Sequence, residues 1–386
     1  MSRLEDGRCV VDRRRFYHRG VGWIRAHRLR AGLMVLVGTL VGVLGFVAAA
    51  PAFEFRRIAS EEFSPQAAAD QIAATEPEPS TTTSTTAPPQ LPDDYRPEQI
   101  RFAQLSGGVE LTPFQLASIG SPMLPDEMFT SVLLIGSDAS GALADAIILV
   151  LLPEDGSPPV MASLPRDLWL PNRCTGGFTR INATLNGCGD AASGPELLAL
   201  TVADFTGVEV DHYARVTFSG FANVIDWMGG ISVCVDAPTR DIKAHLDIPA
   251  GCQTVGGQTA LAWVRSRTTE QLIGDEWKLV ASSDFSRQAH QQDVLLQLGR
   301  KLAAYRSPTS LAEALERLSS AVRLDEGWGL AEIAELGFRY RDLDTDEITR
   351  IRLTAQDYRT SGGAWVLLPV EQFNTTLAEV YPPAAR

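Results

Sequence analysis

Residues 130–138 read TSVLLIGSD, and residues 145–153 read DAIILVLLP. Each is a short apolar run with a carboxylate at one end, a pattern typical of a buried β-strand. A third run, PVMASLPRD at residues 159–167, is also apolar and is stopped by Pro165. Three such runs close together in the chain predict a buried sheet at the centre of the fold.

Helical patterns alternate with further strands after residue 190. ELLALTVADFTG at residues 196–207 has helical spacing and a glycine stop, and residues 283–305 form a long amphipathic pattern. Residues 212–230 predict a strand followed by a helix, while ISVCVDAP at 231–238 and ALAWVRSR at 260–267 predict strands. The sum is an α/β (α+β) domain with a central mixed sheet flanked by helices.

The N-terminal region has the charge pattern of a membrane anchor. Nine arginines lie within residues 1–30, and residues 31–53 contain no charged side chain. The apolar run is long enough to span a bilayer as one transmembrane helix. The preceding arginines place residues 1–30 in the cytoplasm and the main domain outside the cell membrane. A cleaved signal peptide is the alternative, since VAAAPA at residues 47–52 offers small residues to a peptidase.

Beyond the anchor, composition divides the chain into three parts. Residues 54–125 are rich in Ala, Glu, Pro, Ser and Thr and include EPEPSTTTSTTAPPQLP, which predicts a disordered extracytoplasmic linker. The main domain is expected at residues 126–306. Residues 307–386 either complete that domain or form a C-terminal extension of it.

Four of the five cysteines fall in the exported part: Cys174, Cys188, Cys234 and Cys252. An even count in an oxidising compartment predicts two disulfides. Four cysteines allow three connectivities, of which the local pairing Cys174–Cys188 and Cys234–Cys252 closes the shortest loops. A zinc site is less favoured, because no CxxC spacing is present and histidines are few.

Two carboxylates flank the connection between the first two strands. Asp138 closes the first strand and Asp145 opens the second, with ASGALA at residues 139–144 between them. If the strands pair as antiparallel neighbours, both carboxylates stand at the same end of the sheet. Close carboxylates repel unless a cation relieves them, and oxygen ligands at an open site suit Mg²⁺. The alternative is a pair of solvated turn aspartates.

Several arginines stand out in a chain whose formal net charge is −13, a balance that argues against a nucleic-acid partner. Arg265 and Arg267 would share one face of a strand, with a solvated edge as the alternative. Arg166 follows a strand end, where binding residues gather. Arg287 and Gln291 lie four residues apart at the start of a buried helical stripe. A buried arginine needs a counter-charge, either in a structural salt bridge or in a ligand.

Together these residues favour a phosphate ligand. Arginine forks suit phosphate oxygens, and magnesium bridges them. The sequence contains no Walker loop and no dinucleotide glycine pattern. A lipid-linked diphosphate with an apolar neighbourhood therefore fits an exported domain better than a nucleotide does.

The order of these motifs resembles the LytR-CpsA-Psr family over about residues 128–300. The motifs are LLIGSD, DAIILV, SLPRDLWLP, RINATLNG, DHYARVTFSGFANVIDWMGGISV, GGQTALAWVRSR and SRQAHQQ. The resemblance implies a short cytoplasmic tail, one membrane anchor and an extracytoplasmic α/β domain. It also implies a Mg²⁺-dependent phosphotransferase that moves a glycopolymer from a polyprenyl diphosphate carrier onto peptidoglycan, together with lipid pyrophosphatase activity.

The resemblance assigns roles to individual residues. Asp138 and Asp145 would hold the magnesium, and the two cysteine pairs look like those of actinobacterial-type members. The implied diphosphate clamp consists of Arg166, Arg265, Arg267 and Arg287, with Gln291 beside them. As the base for the acceptor hydroxyl we consider Asp167 or Asp284.

The chain departs from the family pattern in four ways. Leu143 stands where members carry an arginine two residues before the second aspartate, and the connection between the aspartates is shorter. His290 stands where an arginine is common, and residues 268–286 form a longer approach to the last helix. Losing one charge-assisted contact costs about 1.5–3 kcal/mol. A non-catalytic lipid-binding or cell-wall scaffold protein is therefore the alternative to an enzyme, while the anchor and the acidic domain disfavour a transcription factor.

Overall fold

The computed structural model describes residues 59–75, 119–138, 140–282, 284–303, 321–328, 344, 347–360 and 362–385. In chain order its strands are β1 (Ala59–Glu61), β2 (Phe129–Ser137), β3 (Ala144–Pro153), β4 (Val160–Ser163), β5 (Trp169–Asn172), β6 (Gly177–Arg180), β7 (His212–Thr217), β8 (Ile231–Val235), β9 (Thr239–Asp241), β10 (Leu246–Ile248), β11 (Gly251–Val255), β12 (Thr268–Ile273), β13 (Glu276–Ser282), β14 (Val322–Asp325), β15 (Thr349–Arg352), β16 (Ala355–Arg359) and β17 (Trp365–Pro369). Its α-helices are α1 (Pro65–Thr75), α2 (Gly194–Thr206), α3 (Phe218–Trp227), α4 (Gly257–Arg265), α5 (Asp284–Ala303) and α6 (Phe373–Val380).

The central sheet is mixed, as the sequence predicts. Its strand order is β1-β14-β7-β2-β3-β4-β15. The pairs β1–β14, β7–β2 and β4–β15 are parallel, and the other three neighbours are antiparallel. Because β2, β4 and β7 run in one direction, their carboxyl ends meet at one end of the sheet, and β3 begins at that same end.

Helices cover both faces of this sheet, because the side chains of each central strand alternate between two cores. Val132 of β2 packs into a core that also contains residues of α3, α4 and α5. Its neighbours Leu133 and Ile135 pack into a second core, with residues of α2 and α6. Both faces of β2 are therefore buried, which explains its unbroken apolar sequence.

The prediction of a strand at residues 260–267 is wrong, because this stretch contains the end of α4. The helix buries Gly257, Ala260 and Val264, which have the i, i+3, i+7 spacing of one helical face. A Cβ atom at Gly257 would lie 2.1 Å from the carbonyl oxygen of Ala222, so the glycine lets α4 pack closely against α3. Arg265 is the last helical residue, and Arg267 lies in the link to β12.

The linker predicted at residues 54–125 also needs correction. β1 pairs with β14 at the edge of the central sheet, and α1 packs against α2 through Ala68, Ile72 and Leu197. The sequence PQAAADQIAAT is rich in alanine, the strongest helix former, but the composition of the surrounding segment hides this signal. Residues 59–75 therefore belong to the folded domain, and the predicted start at residue 126 is too late.

The C-terminal region completes the same domain. β14 and β15 occupy positions in the central sheet, on opposite sides of β2 and β3. Phe373 and Leu377 of α6 are fully buried in the second core. Of the two alternatives for residues 307–386, the described parts of this segment therefore support the first, in which they complete the main domain.

Both predicted disulfides are present. Cys174–Cys188 lies beside the small core between α1 and α2, with the two Cα atoms 5.5 Å apart. Cys234–Cys252 links directly paired residues of β8 and β11. The expected transmembrane segment, residues 31–53, lies outside the described residues, among which no helix is long and apolar enough to cross a membrane.

Candidate active site

A largely apolar pocket of about 290 Å³ opens between the central sheet and the helices α3, α4 and α5. Small and aliphatic side chains of β2 and β7 form its floor, including Leu134, Ala214 and Val216. Phe218 and Phe221 of α3 contribute aromatic walls. The polar lining residues are few and mostly charged: Asp145, Arg166, Thr217, Arg265, Arg267, Arg287 and Gln291.

The structure thus brings together most of the residues that the sequence singles out. Asp145 lies near the start of β3, and Arg166 follows the end of β4. Because β3 and β4 are antiparallel, these two residues meet at one end of the sheet, where Arg166 Nη1 contacts Asp145 Oδ1 in an ion pair. Strand carboxyl ends are where open α/β sheets commonly bind their ligands.

Asp167 joins the arginines into one network. Its carboxylate lies 3.6 Å from Arg166 Nε, 3.3 Å from Arg267 Nη2 and 3.3 Å from Arg180 Nε. Asp167 does not line the pocket itself. We conclude that it acts as a shared counter-charge that holds guanidinium groups around the polar part of the pocket.

A buried carboxylate shapes the corner that carries Arg267. Asp241, which is 1 % exposed, accepts hydrogen bonds from Ser266 Oγ and from the backbone N–H groups of Arg267 and Thr268, each at 2.9 Å. Burial alone would raise the pKa of Asp241, but the hydrogen bonds from Thr268, Ser266 and neighbouring N–H groups outweigh it and lower the pKa to about 2. The ionised carboxylate therefore fixes the backbone where α4 turns into β12.

Helix α5 supplies the buried polar residues on the opposite side of the pocket. Arg287 is only 3 % exposed, and Gln291 Nε2 donates a hydrogen bond of 3.2 Å to the carbonyl oxygen of Val264. His290 faces α4 instead, because its ring stacks on Trp263 with 3.7 Å between ring centroids. Burial lowers the pKa of His290, so this residue packs as a neutral ring between two helices and does not replace an arginine at the pocket.

Asp138 takes a different place from the one its pairing with Asp145 suggests. The two residues lie at the same end of β2 and β3, as predicted, but Asp138 is not among the pocket-lining residues. Its carboxylate accepts hydrogen bonds from Ser140 Oγ at 2.8 Å and from the Leu143 N–H at 3.4 Å. Burial acts to raise the pKa of Asp138, but these hydrogen bonds outweigh burial and lower the pKa.

Three polar residues of this region were not identified from the sequence. Arg180 binds Asp167, Asp241 holds the corner before Arg267, and Arg215 donates to Ser137 Oγ and to the carbonyl oxygen of Gly141. Arg180 is the first residue of the motif RINATLNG, and Arg215 lies within DHYARVTF. No local pattern indicates their role, because each acts on a residue more than ten positions away.

The geometry defines a class of site in which several arginines surround an apolar cavity. The chain belongs to the LytR_cpsA_psr family, whose model it matches over residues 121–379. It is 37% identical to the probable cell wall biosynthesis protein LcpB of Corynebacterium glutamicum over 150 residues, which are 39% of this chain and 34% of that protein. It is also 29% identical to the polyisoprenyl-teichoic acid–peptidoglycan teichoic acid transferase TagV of Bacillus subtilis, over 53% of this chain and 51% of that protein.

The alignments span between about a third and a half of the length of these curated relatives. Among solved structures, a LytR-Csp2A-Psr enzyme from Actinomyces oris superposes with a TM-score of 0.55 at 25% identity, covering 68% of this chain and 93% of that chain. Bacillus subtilis TagV superposes with a TM-score of 0.52 at 23% identity, over 67% and 97% of the two chains, and shows the same fold.

Proposed function

We propose that this protein is an extracytoplasmic phosphotransferase that moves a glycopolymer from a polyprenyl diphosphate carrier onto peptidoglycan. One observation carries the proposal: Arg166, Arg265, Arg267 and Arg287 converge on a pocket whose remaining lining is mostly apolar. A diphosphate attached to a hydrocarbon chain matches both parts of such a pocket. The relatives named for cell wall biosynthesis and for teichoic acid transfer support the same activity.

In this proposal the arginines bind and orient the diphosphate oxygens. Arg265 is held with its guanidinium 4.6 Å from the Phe218 ring, and Arg267 is held by Asp167 and by the corner at Asp241. Such preorganised cations stabilise charge that develops in the transition state without rearranging. The apolar walls accept the first part of the prenyl chain and exclude water from the reacting phosphate.

The transfer step breaks the phosphoanhydride bond of the carrier diphosphate and forms one phosphate ester bond to the acceptor. A hydroxyl oxygen of the acceptor glycan attacks the phosphorus that carries the glycopolymer, while the bond from this phosphorus to the polyprenyl phosphate oxygen breaks. Polyprenyl phosphate leaves, and the hydroxyl proton passes to a base. With water as the acceptor, the same step gives lipid pyrophosphatase activity. Because Asp167 already balances three guanidinium groups, we assign it a positioning role here. Asp284 is the other candidate base, and its side chain is not among those that the structure describes.

Magnesium is part of the proposal. Among the described residues, no group of three or more His, Cys, Asp or Glu side chains could hold a metal alone. Mg²⁺, however, commonly binds one or two carboxylates together with substrate phosphates. Asp145 lines the pocket and would supply one such carboxylate, while Asp138 lies at the same end of the sheet but outside the pocket lining. The ion would neutralise phosphate charge next to the arginines.

The proposed location follows from the expected anchor. Residues 31–53 would span the cell membrane once, with the N-terminus in the cytoplasm and the described domain outside. Two disulfides suit an oxidising exterior and support this placement. Nucleic acid is not a proposed partner.

A second candidate function rests on Leu143. This side chain is 37 % exposed and stands in the turn between the two aspartates, where the resembled family carries an arginine. A chain lacking one phosphate contact could bind the lipid and hold wall polymer without transferring it.

The experiment measures release of polyprenyl phosphate from a polyprenyl diphosphate-linked oligosaccharide by the purified full-length protein, with Mg²⁺ or with EDTA. Arg265→Ala and Asp145→Ala test the site, and Arg240→Ala is the matched control, because Arg240 lies over Trp277 on another sheet. Release that needs Mg²⁺ and is lost in both site variants supports phosphoryl transfer from the lipid diphosphate at this site, to water or to an added glycan acceptor. Binding of the lipid without release favours the scaffold.

A further inference from the structure

The hairpin formed by β16 and β17 lies directly beside the polar end of the pocket. The Leu367 N–H donates a hydrogen bond of 2.9 Å to the carbonyl oxygen of Asp167, and Leu367 pairs with Leu168 in a parallel bridge. Arg180 Nη2 donates a 2.8 Å hydrogen bond to the carbonyl oxygen of Trp365 and also contacts Asp167. Contacts therefore run without a break from Trp365, through Arg180 and Asp167, to Arg267 in the pocket lining.

Trp365 is unusually exposed for so large an apolar side chain, with 63 % of its surface in contact with solvent. Arg359 stands directly opposite it in the hairpin, and the guanidinium lies 5.9 Å from the ring centroid. The hairpin is held in register by five paired positions and is closed by hydrogen bonds between Thr360 and Ala364. The ring is thus presented to solvent on a hairpin whose register and turn are fixed by hydrogen bonds.

A flat aromatic ring beside a cationic hydrogen-bond donor is an arrangement that can receive a sugar. The C–H faces of a pyranose pack on an aromatic ring, while its hydroxyl and carboxylate groups accept hydrogen bonds from arginine. A second phosphate group is less suitable, because an anion gains little from the face of an indole, whose quadrupole is negative there. A lipid tail is also less suitable, because Arg359 stands opposite the ring and the exposed Asp357 lies two residues from Arg359 on the same strand.

We propose that Trp365 and Arg359 form a sugar-binding subsite at the rim of the pocket, with Arg180 positioning the hairpin. The inference rests on the proposed function, since the reaction joins two sugar-containing chains at the adjacent phosphate. The shared ligand chemistry is a pyranose ring, contributed either by the acceptor glycan strand or by the first sugar of the donor glycopolymer.

The test measures binding by calorimetry, using full-length protein and two probes: soluble peptidoglycan glycan fragments, and a polyprenyl diphosphate with or without its sugar. Trp365→Ala is expected to weaken binding of one sugar probe at least tenfold, while its effect on the sugar-free lipid is within twofold. Trp365→Phe keeps a ring and is expected to retain most of the affinity. Trp277→Ala is the matched control, because Trp277 is also a hairpin tryptophan with an arginine over its ring.

Weakened binding of the glycan fragment assigns the subsite to the acceptor, and weakened binding of only the sugar-bearing lipid assigns it to the donor. Unchanged affinity of Trp365→Ala for both sugar probes overturns the proposal, as does an equal loss in Trp277→Ala. Wild-type protein that binds neither sugar also overturns it. Because the readout is binding, an inactive protein that still binds sugar through Trp365 refutes the transferase activity and leaves the subsite standing.

Discussion

The guanidinium of Arg215 donates a hydrogen bond to the carbonyl oxygen of Gly141, in the turn that joins the strands carrying the two aspartates. Arg215 lies on β7, next to β2, and also contacts Ser137 Oγ at 3.4 Å. Ala214 and Val216 of β7 line the pocket, so Arg215 between them points to the opposite face of the sheet, toward the second core. Arg215 thus ties the short turn to the central sheet from that face.

This contact predicts that Gly141→Ala disturbs the turn. Gly141 has a φ of 75°, which is unfavourable for alanine, and a Cβ there would lie 2.6 Å from Arg215 Nη2. We expect a loss of about 1–3 kcal/mol in the free energy of unfolding, measured by urea denaturation, and slower release of polyprenyl phosphate.

Gly156→Ala provides the control for this prediction. Gly156 has a similar φ of 79°, but a Cβ at this position would meet no atom within 4 Å. Gly156→Ala should therefore be destabilised only by the unfavourable backbone conformation, and its activity should be unchanged. Equal effects of the two substitutions would show that the contact with Arg215 is unimportant.

Arginine substitutions at the pocket should reduce activity with little effect on folding. Arg267→Ala removes a guanidinium that lines the pocket and contacts Asp167. A charge-assisted hydrogen bond to the diphosphate is worth about 1.5–3 kcal/mol, which corresponds to a loss of about 10- to 150-fold in kcat/KM. Steady-state release assays compare it with Arg240→Ala, and a variant with wild-type kcat/KM would remove Arg267 from the clamp.

The ionised state of Asp241 predicts a specific dependence of stability on pH. Its pKa of about 2 in the folded protein lies below the value near 3.9 of an unfolded chain. A carboxylate with a lowered folded pKa stabilises the protein above its unfolded pKa, and this contribution is lost as the pH falls toward 2. Asp241→Asn should therefore be less stable at pH 6, and the difference should narrow between pH 4 and pH 2.

Thermal denaturation at several pH values checks this prediction. Asp155→Asn serves for comparison. Hydrogen bonds from Ser157 lower the pKa of Asp155 as well, but this residue lies in an exposed turn away from the pocket. A constant stability difference across the pH range would mean that the charge of Asp241 does not contribute.

Reduction of the disulfides should destabilise the domain. Cys174 and Cys188 are 14 positions apart, and Cys234 and Cys252 are 18 apart, so each bond closes a loop whose entropy contributes about 3 kcal/mol. The paired variants Cys174→Ser/Cys188→Ser and Cys234→Ser/Cys252→Ser separate the two contributions in denaturant titrations. A reducing agent should leave a protein lacking all four of these cysteines unaffected.

Local sequence patterns predicted the strands at the centre of the sheet well, because β2 and β3 are buried on both faces and read as apolar runs. They failed at α4, where Trp263, Arg265 and Arg267 alternate as in a strand while Ala260 and Val264 follow a helical spacing. The pocket arginines could be found from motif order. Arg180, Arg215 and Asp241 could not, because their partners come from distant parts of the chain.

The position of β1 determines where the polypeptide enters the domain. β1 runs opposite to β7 and β2, so Ala59 lies toward the same end of the sheet as Asp145 and Arg166. Residues 54–58 alone separate it from the apolar run 31–53. With that run in a bilayer, as proposed, the connection reaches at most about 20 Å when fully extended. This short connection would hold the pocket arginines close to the outer leaflet. A lipid-borne donor could then keep most of its hydrocarbon chain in the membrane while its diphosphate reacts.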